Sequence, residues 1–226
     1  GTIDKEEIYE IRNLYKTINY SGERRKGLLI LAHISILYGD HSLAHDLLLE
    51  DEEIKGIFTT DYLDLFRNMI IGTLNKDSNI LISVSEKVKN KGYYEIELFT
   101  NIELGDIYFN SGKYYRAVNC YLTAFDLVYR LAKKIPDKSL QVTFVNKNRA
   151  SMILHRLRKV VSVVKGSEVI YNEPIEYTEN TRLEDFFNIK NIVDLFSEDI
   201  YNIGYSESSE TEREIANSFE ELILQL

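Results

Sequence analysis

His41 and His45 stand four residues apart, directly after Asp40. On a helix that spacing turns both imidazoles to one side, where they could share a metal ion. No glutamate follows in the arrangement a zinc hydrolase uses, and a third ligand would have to come from elsewhere. The solvated start of a helix is the simpler account, and a metal-dependent enzyme built on Asp40, His41 and His45 stands as the alternative from another class. Gly105 and Gly112 enclose six residues, but no Lys-Ser or Lys-Thr follows at the spacing a phosphate loop requires. Ser83, Ser85 and Ser151 lack the glycines of a nucleophile elbow. Cys120 lies between Asn119 and Tyr121 with no neighbour that would activate a thiol. The acidic runs Glu6-Glu7 and Asp51-Glu52-Glu53 read as solvated helix ends, and His33 and His155 are isolated. No catalytic residue, metal or cofactor is expected.

The composition narrows the remaining classes. The 226 residues are 44% hydrophobic and 28% charged, ordinary for a globular protein. The formal net charge of −9 argues against a broad nucleic-acid face, which needs clustered Lys and Arg. The one basic stretch, His155-Arg156-Leu157-Arg158-Lys159, reads as the wet face of a helix. No apolar run approaches the roughly 20 residues that span a bilayer, so no membrane partner is expected. A single cysteine forbids an internal disulfide and fits a cytoplasmic protein. The opening Gly1-Thr2-Ile3-Asp4 and the uncapped end at Leu226 read as the ends of a piece of a longer chain.

Helices must position whatever function there is. Only Pro136 and Pro174 interrupt the chain. Asp4 and Glu7 form a capping-box pattern, and Ile8, Ile11, Leu14, Tyr15 and Ile18 then mark one buried helical face, ended by Ser21-Gly22. Further helices are predicted over 24–38, from His41, over 60–73, 78–90, 93–110 and 113–134. A basic-apolar helix runs through Leu154 and Leu157. Residues 1–164 thus form a helical repeat domain, 165–181 a linker or long loop, and 182–226 a C-terminal helical segment. The predicted class is all-α.

Small residues set a ruler for the repeats. Gly105 and Ala117 are separated as Ala32 and Ala44 are, with Gly112 and Gly39 in the turns between them. Small side chains at such positions let the two helices of a hairpin approach closely. Gly72 marks a middle copy, opposite Val84. Leu104, Gly105, Tyr108, Gly112, Ala117, Tyr121 and Ala124 resemble the tetratricopeptide repeat. Leu31, Ala32, Gly39, Ala44 and Leu48 resemble it more loosely, and the resemblance covers residues 24–134. Asn101 stands where the family has an aromatic, and Tyr129 where it often has a closing proline. The stretch from Tyr129 through Pro136-Asp137 to Phe144 looks like the end of helical arrays in large bacterial signalling proteins.

The resemblance implies an α-α superhelix of stacked antiparallel hairpins, with the first helices lining a concave groove. Its pattern places Lys26, Leu29, His33, Ile36 and Leu37 on that face in the first copy. In the later copy it places Phe99, Ile102, Asp106, Phe109 and Asn110 there. The mixed lining suits a hydrophobic helix or an extended peptide. A non-enzymatic protein- or peptide-binding scaffold in a bacterial cytoplasmic signalling or regulatory protein is therefore expected. The peptide-pheromone-binding region of a transcriptional regulator is the alternative. Leu183, Phe186, Phe187, Ile189, Ile192, Val193, Phe196 and Ile200 form an apolar face too wide for solvent. It is expected either to pack back around Leu154 and Leu157 or to form a homodimer through the C-terminal helices.

Overall fold

A computed structural model describes residues 5–165 and 176–188. Ten α-helices hold 78% of these residues, and no strand occurs among them. They are α1 (Lys5–Lys16), α2 (Ser21–Leu37), α3 (His41–Lys55), α4 (Asp61–Asn75) and α5 (Ser78–Val88). Then come α6 (Tyr94–Asn110), α7 (Tyr114–Ala132), α8 (Lys138–Lys147), α9 (Ala150–Lys165) and the short α10 (Leu183–Phe186). Neighbouring helices pack on one another in a manner compatible with a helical repeat. The chain divides into two compact units, Gly1–Thr100 and Asn101–Leu226, with the boundary inside α6.

Most helix positions follow their local signals, with two differences. The first helix stops at Lys16, where the Thr17 amide and hydroxyl both donate to the Leu14 carbonyl. Ser21 and Gly22 therefore open α2 rather than end α1. Gly22 is small because a Cβ there would stand 2.7 Å from the Phe58 ring. The second difference is α8, a helix that the sequence reading left unmarked. Its start carries a local signal all the same: after Pro136, the Asp137 side chain caps the helix by accepting from the Leu140 amide at 2.8 Å. The capping residue proposed for α1, Asp4, lies outside the described residues.

In the first unit α2 packs against α3, α4 against α5, and α4 returns against α2, with α1 laid on α2. Leu28, Leu29, Ala32, Ala44, Leu47, Met69, Ile70, Leu81, Val88 and Ile96 are fully buried between them. The turn joining each of the first three hairpins has the same construction. Gly39, Lys76 and Gly112 adopt left-handed backbone (φ 78°, 51° and 71°). The next residue in each, Asp40, Asp77 or Lys113, donates its amide five residues back, to Ser35, Gly72 or Tyr108. This closure satisfies helix carbonyls that would otherwise lack donors. Its positions, 39, 76 and 112, are almost evenly spaced.

That register corrects the middle copy. Ala32 and Gly105 stand seven residues before their turns, and the equivalent residue in α4 is Met69 rather than Gly72. The equivalent of Ala44 and Ala117 is Leu81. A bulky pair replaces the small one, and Gly72 supplies the room: a Cβ on it would lie 2.8 Å from Leu81 Cδ2. Gly105 works similarly. A Cβ there would stand 2.4 Å from Tyr121 Cε1, so the glycine admits a ring as well as a close backbone. Tyr121 is 1% exposed and its hydroxyl donates to Asp106 at 2.6 Å, which leaves the ring nowhere to move. Gly105→Ala is expected to cost about 1–3 kcal/mol by overpacking, read as a lowered denaturation midpoint. Gly56→Ala is the control: Gly56 has φ −63° and nothing within 4 Å of the added carbon, so no loss is expected there.

In the second unit α7 carries the core, burying Val118, Tyr121, Leu122, Phe125 and Val128. Both α8 and α9 pack on it. Arg149, with φ 59°, stands at the turn between α8 and α9. Residues 176–188 return to the same unit. Tyr177 is 1% exposed, its carbonyl accepts from Asn146 Nδ2, and its hydroxyl bonds Gln141 and Lys138. Phe187 stacks on Phe125 at 4.4 Å and on Tyr129 at 5.3 Å, while Phe186 meets Tyr177 at 5.2 Å. The start of the predicted C-terminal apolar face thus packs on rings of α7, the helix against which α9, with Leu154 and Leu157, also packs. Ile189, Ile192, Val193, Phe196 and Ile200, and with them the dimer expected of that segment, lie outside the described residues.

Candidate functional site

The structural repeat positions are interior. Ala32, Ala44, Ala117, Ala124, Leu104, Gly105 and Tyr121 are buried, Tyr108 is half-buried, and Gly39 and Gly112 stand exposed in their turns. The residues assigned to a groove divide more sharply. In the first unit Lys26 and Leu37 are exposed and Ile36 and Phe99 are half-buried. Leu29 is fully buried and His33 nearly so, so neither presents its side chain to a ligand. His33 serves as a packing element between hairpins. Its ring meets Phe66 of α4 at 5.9 Å and Phe99 of α6 at 4.5 Å, both edge to face. The ring of α2 thus touches one ring from each of α4 and α6.

In the second unit Ile102 is buried, Asp106 and Phe109 are half-buried, and Asn110 is exposed. Asp106 is occupied internally. Arg156 of α9 grips it with Nε and Nη2, each at 2.6 Å, and the Tyr121 hydroxyl adds a third donor. Lys159 lies over the Phe109 ring at 5.0 Å. Arg156 and Lys159 thus belong to an interhelix contact, which corrects their reading as a wholly solvated basic face. Nothing in the sequence marks Arg156 apart from Arg158, because the partner lies fifty residues away.

A charge cluster in the first unit also departs from its sequence reading. Asp51, which the acidic run places at a solvated helix end, is fully buried. It receives Arg25 Nε at 2.8 Å and lies 3.0 Å from Arg67 Nε. Arg25, also fully buried, reaches Asp64 at 2.7 Å and the Thr59 hydroxyl at 2.8 Å. Burial pushes the Asp51 carboxyl above its usual range despite the attraction of both arginines. Every member is held by another member, so the cluster joins α2, α3 and α4 instead of offering a reactive group.

Glu103, one turn before Asp106 on α6, is the most perturbed carboxyl. Burial, reinforced by the Asp106 charge and opposed by Arg156 and Arg149, raises it from its usual 4.5 to about 7. Because the folded value exceeds the unfolded one, the ionised acid destabilises the fold. The penalty is absent below about 4.5, grows as pH rises and is complete above about 7. Full conversion of the shift gives an upper bound of about 3 kcal/mol, and partial solvent screening lowers it to roughly 1. Glu103→Gln is therefore expected to stabilise the protein at pH 8 and to leave it unchanged at pH 4, as compared by chemical denaturation.

No family model, curated protein or solved structure significantly matches the chain. His41 and His45 are both exposed at the start of α3, while Asp40 caps that helix by accepting from the Leu43 amide at 3.1 Å. Among the described residues no three His, Cys, Asp or Glu side chains assemble in a way that could hold a metal ion. Burial pushes the Cys120 thiol up to about 12, far from the thiolate a nucleophile needs. Among the described residues no helix is long and apolar enough to cross a membrane.

Proposed function

We propose that this chain is a non-enzymatic, tetratricopeptide-like scaffold that binds a protein or peptide, within a bacterial cytoplasmic signalling or regulatory protein. The observation that supports the reading best is the meeting of three first helices at His33 in the first unit. His33, Phe66 and Phe99, from the first helices of three successive hairpins, are in contact, with Phe99 half-buried and Lys26 and Leu37 exposed on the same helices. A helical-repeat protein that lines up its first helices presents a surface composed of one strip per hairpin. An extended or helical peptide crossing those strips contacts several at once, with the half-buried Phe99 offering aromatic area and the buried His33 and Phe66 supporting it from within. Small rotations between hairpins would then report occupancy to adjoining domains.

A random peptide library displayed on phage and panned against the whole chain tests the reading. The expected result is an enriched consensus whose affinity falls at least tenfold with Leu37→Asp or Phe99→Ala. Failure to enrich any consensus, or equal binding by both variants, would refute it.

A further inference from the structure

At the starts of α4 and α6 in the first unit, two tyrosines form a corner. The rings of Tyr62 and Tyr93 lie 5.3 Å apart and nearly perpendicular, at 82°. Both side chains are half-buried, so part of each remains open to solvent. Tyr62 also packs against the buried Phe66, at 6.0 Å and 35°. At the rim the Tyr62 hydroxyl contacts the exposed carboxylate of Glu95 at 3.5 Å. Two π faces at a right angle, with a carboxylate beside them, have one chemistry in common: each attracts a cation.

Elsewhere this chain supplies such rings with its own cations. Arg116 lies over Tyr108, Lys133 over Tyr129, Lys138 over Tyr177 and Lys159 over Phe109. Among the described residues no Lys or Arg covers Tyr62 or Tyr93, and none pairs with Glu95. The nearby Lys91 is directed to Asp61, with Nζ 2.6 Å from its carboxylate. That ion pair neutralises Asp61 and leaves Glu95 as the uncompensated charge at the corner.

We propose that Tyr62, Tyr93 and Glu95 form a half-cage that takes the cationic side chain, lysine or arginine, of a partner peptide. The inference rests on the peptide-binding reading above and gives it a partner class: a basic segment meeting an acidic chain of net charge −9. The corner lies at the helix starts, so a peptide lying across the first helices would anchor its charged residue at that edge. A neutral apolar side chain of equal size would gain the ring contact but nothing from the quadrupoles or from Glu95.

The test uses the whole chain with its tyrosine rings isotope-labelled for nuclear magnetic resonance. Tetramethylammonium chloride is the probe, with tert-butanol as the neutral isostere and sodium chloride as the salt control. Saturable shifts of the Tyr62 and Tyr93 ring signals are expected with tetramethylammonium alone. Tyr93→Phe, which keeps the π face, should bind as wild type, whereas Tyr93→Leu should bind at least tenfold more weakly and Glu95→Gln several-fold more weakly. Unshifted rings, equal shifts with tert-butanol, or wild-type binding by Tyr93→Leu would each overturn the half-cage. Should Tyr93→Leu lose helical signal in circular dichroism, the isosteric Glu95→Gln decides by the same criterion. A displayed-peptide consensus lacking Lys and Arg would overturn the half-cage while leaving the peptide-binding reading intact.

Discussion

Replacing Arg25 with alanine is expected to cost about 3–5 kcal/mol, the usual penalty for leaving a buried charge without its partner. Arg25 and Asp51 are both fully buried, and Arg25 alone spans Asp51, Asp64 and the Thr59 hydroxyl. Its loss leaves Asp51 with only Arg67, in surroundings that already disfavour the ionised carboxyl. Urea denaturation followed by circular dichroism measures the effect. The double replacement Arg25→Met with Asp51→Leu should recover much of the loss, because an apolar pair of similar volume avoids desolvating charges. If Arg25→Ala unfolds with the wild type, the cluster contributes nothing to holding α2, α3 and α4 together.

Phe187→Ala is the second large effect, expected at about 3 kcal/mol or more. The ring is 8% exposed and touches Phe125, Tyr129 and Phe186. Phe125 belongs to the centre of the second unit, so an unfilled space beside it weakens packing along α7. A chain ended at Lys165 goes further by removing Tyr177, Leu183, Phe186 and Phe187 together. Such a chain should melt lower and, with Phe125 and Tyr129 uncovered, self-associate in sedimentation. The comparison also bears on the homodimer expected of the C-terminal helices. A monomeric full chain beside a self-associating shorter one identifies residues 176–188 as a cover, and a dimeric full chain that becomes monomeric when shortened identifies the C-terminal segment as an interface.

The all-α class was legible along the chain because its signals are local. Apolar residues at three- and four-residue steps, and Gly39 and Gly112 after a helix, act within one or two turns of themselves. A polar turn over 75–77 was legible, but its left-handed residue, Lys76, was not, since lysine does not announce such backbone, and without it Gly72 was placed out of register. Glycine spacing suggested close helix contacts, yet what fills the space beside Gly105 or Gly72 depends on the partner helix.

Charge and ring partners belong to that second kind of information. Arg25 and Arg24 are adjacent and chemically identical, as Arg156 and Arg158 are nearly so, and no local rule separates the buried arginine from its neighbour. Tertiary packing selected Arg25 for Asp51, Arg156 for Asp106, and Tyr62 for Tyr93. The sequence by itself determined that the chain is helical, where most of its helices lie and which of their residues are apolar. Only the tertiary structure decided which polar side chains those faces bring together, because that choice depends on the rotation and offset of helices formed by residues far apart in the chain.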